Sequence, residues 1–229
     1  MPSLNDRIAL GSEATGSQMN LDRRRLAALP LMMGLACLPL SLRAQSSAKA
    51  LMLTPSQSEG PFYPLVVPRD ADADLLRHGA LDYRLGQATV LTGRVMDVDG
   101  RPLRGASVEI WQCDHAGHYD HPGDGGRIDP AFQGFGRSAV DADGSYRFRT
   151  MRPVAYGGRT PHIHVKVKLG RRELLTTQLY VAGEPLNQRD FLWRRLPEEL
   201  RAALTVPFVG STSAPQCTLL AQCNLVVLA

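Results

Sequence analysis

From Thr89 to the C-terminus the chain is a succession of short β-prone runs, with a turn signal about every eight to twelve residues. Thr89–Val98, Ala106–Gln112, Ser145–Arg149, His162–Leu169 and Glu173–Val181 read as strands, and Ala203–Val209 and Asn224–Leu228 are further candidates. Asp99-Gly100 and Asp143-Gly144 supply turn pairs, and the whole chain carries 21 glycines and 16 prolines, a content that favours turns over long helices. One short helix fits between Asp190 and Leu200, broken at Pro197. The pattern predicts an all-β domain over residues 86–229, folded as an antiparallel β-sandwich. The Asp-x-Asp-Gly stretches at Asp97 and Asp141 lack the closing glutamate and remaining ligands of a calcium loop, so they read as turns.

The N-terminal part is of another kind. Arg23, Arg24 and Arg25 precede an apolar run from Leu26 to Leu42, and Ala44 offers a small residue for cleavage, which is the order of a secretory signal. The arginines with Leu26 behind them resemble a twin-arginine signal; an ordinary secretory signal or a retained anchor are the alternatives. Pro30 and Pro39 interrupt the run, which is short for a membrane span, so residues 1–44 read as an export signal to the periplasm or exterior, with no stable membrane insertion after processing. Without them the chain has 21 basic and 19 acidic residues, net +2, and no basic stripe, which argues against a nucleic-acid partner. Residues 45–85, with Thr54-Pro55 and Gly60-Pro61-Phe62-Tyr63-Pro64, read as an irregular extended arm laid over the sandwich. In an oxidising compartment Cys217 and Cys223 could close a small loop, and spacing does not exclude a pairing with Cys113.

The strongest chemical feature is His162-Ile163-His164. In a strand both imidazoles lie on one face, about 7 Å apart along the backbone, close enough to converge on one ion. That face continues as Lys166 and Lys168, while Ile163, Val165, Val167 and Leu169 form the other. The apolar face belongs to the core, so the histidines are expected to point away from it, towards a site covered by loops. Tyr156 lies six residues before His162, and Tyr119 follows the strand that holds Trp111. Ionising a tyrosine at neutral pH costs about 4 kcal/mol, which a trivalent cation can meet; zinc would choose cysteine, histidine or carboxylate.

Four segments carry a specific resemblance. Val108-Glu109-Ile110-Trp111-Gln112 with Ala116-Gly117-His118-Tyr119, Tyr156 with Arg159-Thr160-Pro161-His162-Ile163-His164, Thr177-Gln178-Leu179-Tyr180, and the arm from Thr54 to Pro64 resemble, in order, the motifs of intradiol ring-cleavage dioxygenases. The similarity is nearest to the catalytic beta subunit of the protocatechuate enzymes. It implies a transthyretin- or immunoglobulin-like sandwich and a non-haem Fe(3+) ion held by Tyr119, Tyr156, His162 and His164. Arg159 and Gln178 would line the substrate pocket, and Tyr156 would leave the metal as substrate arrives. The substrate would be a small aromatic diol, cleaved with O2 between its hydroxylated carbons, and the family's paired sandwiches allow a homo-oligomer. The loop from Tyr156 to His162 is shorter than in the protocatechuate enzymes, which leaves the particular diol open.

Two rivals come from other classes. Leu91-Thr92-Gly93-Arg94-Val95 through Gly105-Ala106 also resembles the opening hairpin of transthyretin-like binding modules, which need no metal. A secreted copper or zinc enzyme could use the two histidines, and Cys113, His115, His118 and His121 invite a zinc reading of their own. The mobile, glycine-rich loop around those four fits solvated side chains that rim the site equally well.

Overall fold

The structure, a computed structural model, describes residues 50–69, 71–212 and 218–229. The export reading of residues 1–44 therefore falls outside the described residues, as does Cys217. Cys113 and Cys223 are buried free thiols.

Two short strands, β1 (Arg77–His78) and β2 (Leu81–Asp82), make a small hairpin within the arm. The sandwich proper begins with β3 (Ala88–Met96) and β4 (Ala106–Trp111), and continues with β5 (Phe135–Ala139), β6 (Ser145–Met151), β7 (His162–Leu169) and β8 (Arg172–Val181). Helices α1 (Phe191–Arg195) and α2 (Glu198–Leu204) follow, with the break at Pro197 that the sequence announces. The chain ends with β9 (Thr205–Val206), β10 (Phe208–Gly210), β11 (Leu219–Gln222) and β12 (Leu225–Val226).

One sheet is built on β3, which pairs antiparallel with β6 and parallel with both β11 and β12; β10 extends it beyond β11. The other runs β5-β4-β7-β8-β9, with β8 and β9 parallel. The expected sandwich is thus present, but three of its pairings are parallel. A period-two sequence is the same for either direction, so it does not reveal the orientation of the C-terminal strands. Strands β5 and β11 carry no clear strand signal in the sequence; β5 contains Gly136 and β11 lacks an alternating pattern.

The facing sides of the sheets meet in one apolar cluster. Leu91, Val95, Tyr146 and Phe148 come from the first sheet, and Val108, Ile110, Ile163, Val165, Val167, Leu175 and Leu179 from the second. Each full burial of such a side chain contributes about 1.5–3 kcal/mol. The C-terminal strands crowd closely against β3 at Gly93, where a Cβ would fall 1.6 Å from the Cys223 carbonyl oxygen. That same oxygen accepts a 2.7 Å hydrogen bond from the buried Tyr146 hydroxyl.

The outer face of the second sheet is buried as well as the inner one. His162, His164 and Lys166 do turn away from the apolar core, yet they are buried too. The arm is the reason, because it lies along this face as a third layer. Gln57 N donates to Thr176 O (2.9 Å), Gln178 Nε2 donates to Ser58 O (2.8 Å), and the Tyr63 hydroxyl donates to Glu109 Oε2 (2.8 Å). Lys166, its side chain only 7% exposed, is ion-paired with Glu59 of the arm and with Glu173 at 3.0 Å. Glu109 is fully buried and accepts from Arg137 Nε (3.0 Å) and Nη2 (2.6 Å). Buried charges of this kind persist only when paired, so these contacts pin the arm in one register.

Candidate metal and substrate site

The site is assembled from three strands, two loops and the arm. Strand pairing places Trp111 opposite His164, His164 opposite Gln178, and His162 opposite Tyr180, all on the outer face. Tyr119 comes from the loop after β4, which two aspartates shape. Asp114 accepts from the backbone N–H groups of Ala116, His118 and Asp129 at 2.9 Å each, and Asp124 accepts from that of Tyr119 at 2.8 Å. Tyr156 sits in a tight loop that Arg159 N closes onto Tyr156 O at 2.7 Å.

All four rings proposed from sequence come together. The ring centroids are 4.8 Å apart for Tyr119–Tyr156, 5.4 Å for Tyr156–His162, 4.7 Å for His162–His164 and 5.9 Å for His164–Tyr119. The two Nε2 atoms are 3.1 Å apart. His162 Nδ1 lies 2.7 Å from the Thr160 carbonyl, so it carries the proton, which leaves Nε2 with a bare lone pair. Burial lowers His162 to about 4, with the nearby Arg159 charge adding to it. His164 lies well below its ordinary value, through burial and then the neighbouring His162 and Arg159. Both imidazoles are therefore neutral at pH 7, the form that binds a metal. Tyr119 is buried and its hydroxyl has no hydrogen-bond partner; its pKa is driven well above 10, first by burial and next by Tyr156. His164 Nδ1 is also buried without a partner.

Such a set is costly as it stands. A buried unsatisfied polar atom costs about 1–3 kcal/mol, and both the Tyr119 hydroxyl and His164 Nδ1 are in that position. A strongly charged cation at the meeting point would use both Nε2 lone pairs and both phenol oxygens at once. The residues therefore fit an iron ion of the kind the sequence implied.

The surroundings hold these rings still. Trp111 stacks on His164 at 4.8 Å with planes 9° apart, and Phe62 of the arm stacks on Tyr119 at 4.6 Å. Gly60, at φ +77°, passes so near that a Cβ there would be 3.3 Å from His164 Cε1. A cleft of about 580 Å³ opens beside half-buried Tyr156, bounded by Phe62, Ala116, Gly117, His118, Arg127 and Gly157.

Arg159 and Gln178 also reach the site, but as bonded partners. Arg159 Nη2 donates to Gln178 Oε1 at 2.7 Å, and Arg159 Nε donates to Asp190 Oδ2 at 2.6 Å. Gln178 is fully buried between Arg159 and the arm, its Oε1 taken by Arg159 and its Nε2 by Ser58 O. Sequence reasoning does not single out Asp190 or Phe62 as site residues; the one signal is an aspartate at the start of a short helix. The loop cysteine and histidines lie apart in their contacts: Cys113 Sγ faces Val154 O at 3.8 Å, His121 Nδ1 accepts from Gly123 N at 2.9 Å, and His118, its Nδ1 3.5 Å from Asp124 Oδ2, rims the cleft. Among the described residues no three His, Cys, Asp or Glu side chains gather as a metal cage.

Comparison with known proteins decides the family. A family model described as "Dioxygenase" matches residues 58–219. The chain belongs to the intradiol ring-cleavage dioxygenases. This dioxygenase is 40% identical over 141 residues to the protocatechuate 3,4-dioxygenase beta chain of Burkholderia cepacia, covering 56% of this chain and 59% of that one. It is 32% identical over 163 residues to catechol 1,2-dioxygenase of Acinetobacter baylyi, covering 61% of this chain and 50% of that one. Among solved structures it is similar to the dioxygenase domain of a carbohydrate-binding fusion from Streptomyces sp. SirexAA-E, with TM-score 0.60, 31% identity, and coverage of 76% and 97%. The chain thus spans between half and three fifths of the length of these two curated relatives.

Proposed function

We propose that this intradiol dioxygenase holds one ferric ion between Tyr119, Tyr156, His162 and His164, and opens a catechol-type aromatic between its two hydroxyl-bearing carbons. Both atoms of O2 enter the product, a muconate-type diacid, so catechol plus O2 balances without a further reductant. The observation that carries this reading is the meeting of two imidazole Nε2 atoms, 3.1 Å apart, with a buried phenol that has no partner. The bound ion would supply Lewis acidity, drawing charge from a chelated diol so that its ring reacts with O2.

The chain's own residues account for the rest. Thr160 O fixes the His162 tautomer and aims Nε2, while Trp111 and Gly60 leave the His164 ring no room to turn. Tyr156 is the half-buried phenol beside the cleft, and burial raises its pKa. With its pKa raised, Tyr156 Oη would hold a proton given up by the incoming diol, so no carboxylate base is required. Arg159, its side chain 13% exposed, sets a fixed positive charge where the substrate becomes anionic. Phe62 and the arm keep water from the inner side of the rings.

The relatives are named for protocatechuate and for catechol, which supports a dihydroxybenzene substrate without choosing one. Export rests on the basic, apolar, small order of residues 1–44. The test is purification with iron analysis, then oxygen uptake on catechol, protocatechuate and hydroxyquinol. The expected result is a burgundy, iron-bearing protein that consumes O2 with at least one diol. A protein that stays colourless and inert after loading with ferric iron overturns the proposal.

A further inference from the structure

Asp190 is a fully buried carboxylate immediately before α1, and the hydrogen bonds around it reach two different parts of the molecule. Its Oδ1 accepts from the backbone N–H groups of Leu192 and Trp193, both at 3.0 Å, which caps the helix. Its Oδ2 accepts from Arg159 Nε at 2.6 Å and from Thr160 N at 3.1 Å, and Arg159 Nη2 approaches Oδ1 at 3.4 Å. The second fixed point of the guanidinium is Gln178 Oε1, whose amide cannot flip because its Nε2 is given to Ser58 O. Two of the three guanidinium nitrogens are thereby committed to the protein. The first residue of the capped helix, Phe191, lies with its ring 5.3 Å from Arg159 Cζ.

We infer that Asp190 is a positioning residue of the ring-cleaving site. It locks Arg159 through Nε and Nη2, leaves Nη1 as the nitrogen available to an anionic substrate, and by capping α1 carries Phe191 onto the face of the guanidinium. The inference rests on the proposed ring-cleaving reading for its functional half. Its structural half concerns only how Arg159 is held. A planar guanidinium gains selectivity when its plane is set in advance, and displacement of a catalytic charge by about 1 Å costs up to about a hundredfold in rate.

Substitution can separate the two roles of the carboxylate. In Asp190→Asn the Oδ1 cap survives, but the amide nitrogen then faces Arg159 Nε, donor against donor. Asp190→Ser keeps a capping oxygen and is too short to reach Arg159. Both variants are expected to retain iron and the tyrosinate colour while kcat falls about ten- to a hundredfold. Combined with Arg159→Gln, neither should lower the rate further, because the residue it positions is already gone. In metal-free protein the Arg159 Hε resonance should exchange with solvent slowly in the parent and at least tenfold faster in both variants. Wild-type kcat in Asp190→Asn, or losses that multiply in the double variant, overturns the inference, as does an unchanged Hε exchange rate. If the parent cleaves no diol at all, the ring-cleaving reading fails by itself, and Hε exchange still decides whether Asp190 holds Arg159. If Asp190→Asn does not fold, Asp190→Ser is read by the same measurements.

Discussion

Gly60→Ala tests the contact between arm and metal site, and its size follows from geometry. The residue sits at φ +77°, where a side chain costs about 1–2 kcal/mol relative to glycine. The added Cβ would also stand 3.3 Å from His164 Cε1, and the imidazole cannot retreat because Trp111 is stacked on it, 4.8 Å away between centroids. Gly183→Ala is the internal control: φ there is +73°, and no atom lies within 4 Å of the place its methyl would take. Backbone strain alone should therefore lower the Tm of both variants by about 2–8 °C, at about 2–4 °C per kcal/mol for a domain of this size. Only Gly60→Ala should weaken iron binding, by about 10- to 100-fold, the usual cost of disturbing a group that orients a ligand. Thermal unfolding of metal-free protein reads the first effect, and competition for iron with a chelator reads the second. Equal iron affinity in the two variants would refute the packing of the arm on His164.

Other expectations follow from the same contacts. Tyr119→Phe should abolish iron binding and colour yet stabilise the metal-free protein by about 1 kcal/mol in urea unfolding, because it deletes a buried hydroxyl that has no partner. His164→Ala should lose both iron and oxygen uptake, and a fully active variant would reject the ligand assignment. Glu109→Ala leaves Arg137 and the Tyr63 hydroxyl without their shared carboxylate and should cost about 2–3 kcal/mol, with faster proteolysis within residues 50–69 as a local readout. Gly93→Ala forces a methyl to within 1.6 Å of the Cys223 carbonyl oxygen and should abolish soluble expression, whereas Thr92→Ser beside it should not.

Much of the site is legible in local sequence because its chemistry is carried by rare combinations. His162 and His164 share a face by strand geometry alone, and two tyrosines in flanking loops narrow the ion to one that can hold phenolate. The four do converge, as ring centroids 4.7 to 5.9 Å apart attest. Asp190 stays hidden because an aspartate before a helix reads first as a cap, and nothing local announces that Arg159, thirty-one positions earlier, shares its oxygens. Gln178 is proposed as a site residue from the resemblance of its motif, but its burial between Arg159 and Ser58 depends on the arm and is not written in β8.

What the sequence by itself determined is the set of strands that alternate, the turns between them and the donor types of the proposed metal site, since each depends on neighbours within a few positions. The tertiary structure decided which strands run parallel and what covers the outer face of the second sheet. The polar side of His162–Lys166 is expected to lie beneath loops, but period-two patterning distinguishes two faces without saying which segment covers either. Here the second face is sealed by a segment about a hundred residues away, through Glu59 on Lys166, Tyr63 on Glu109 and Gly60 against His164. Long-range pairings of this kind depend on the summed burial of charges and rings brought together only by folding, so no local pattern encodes them.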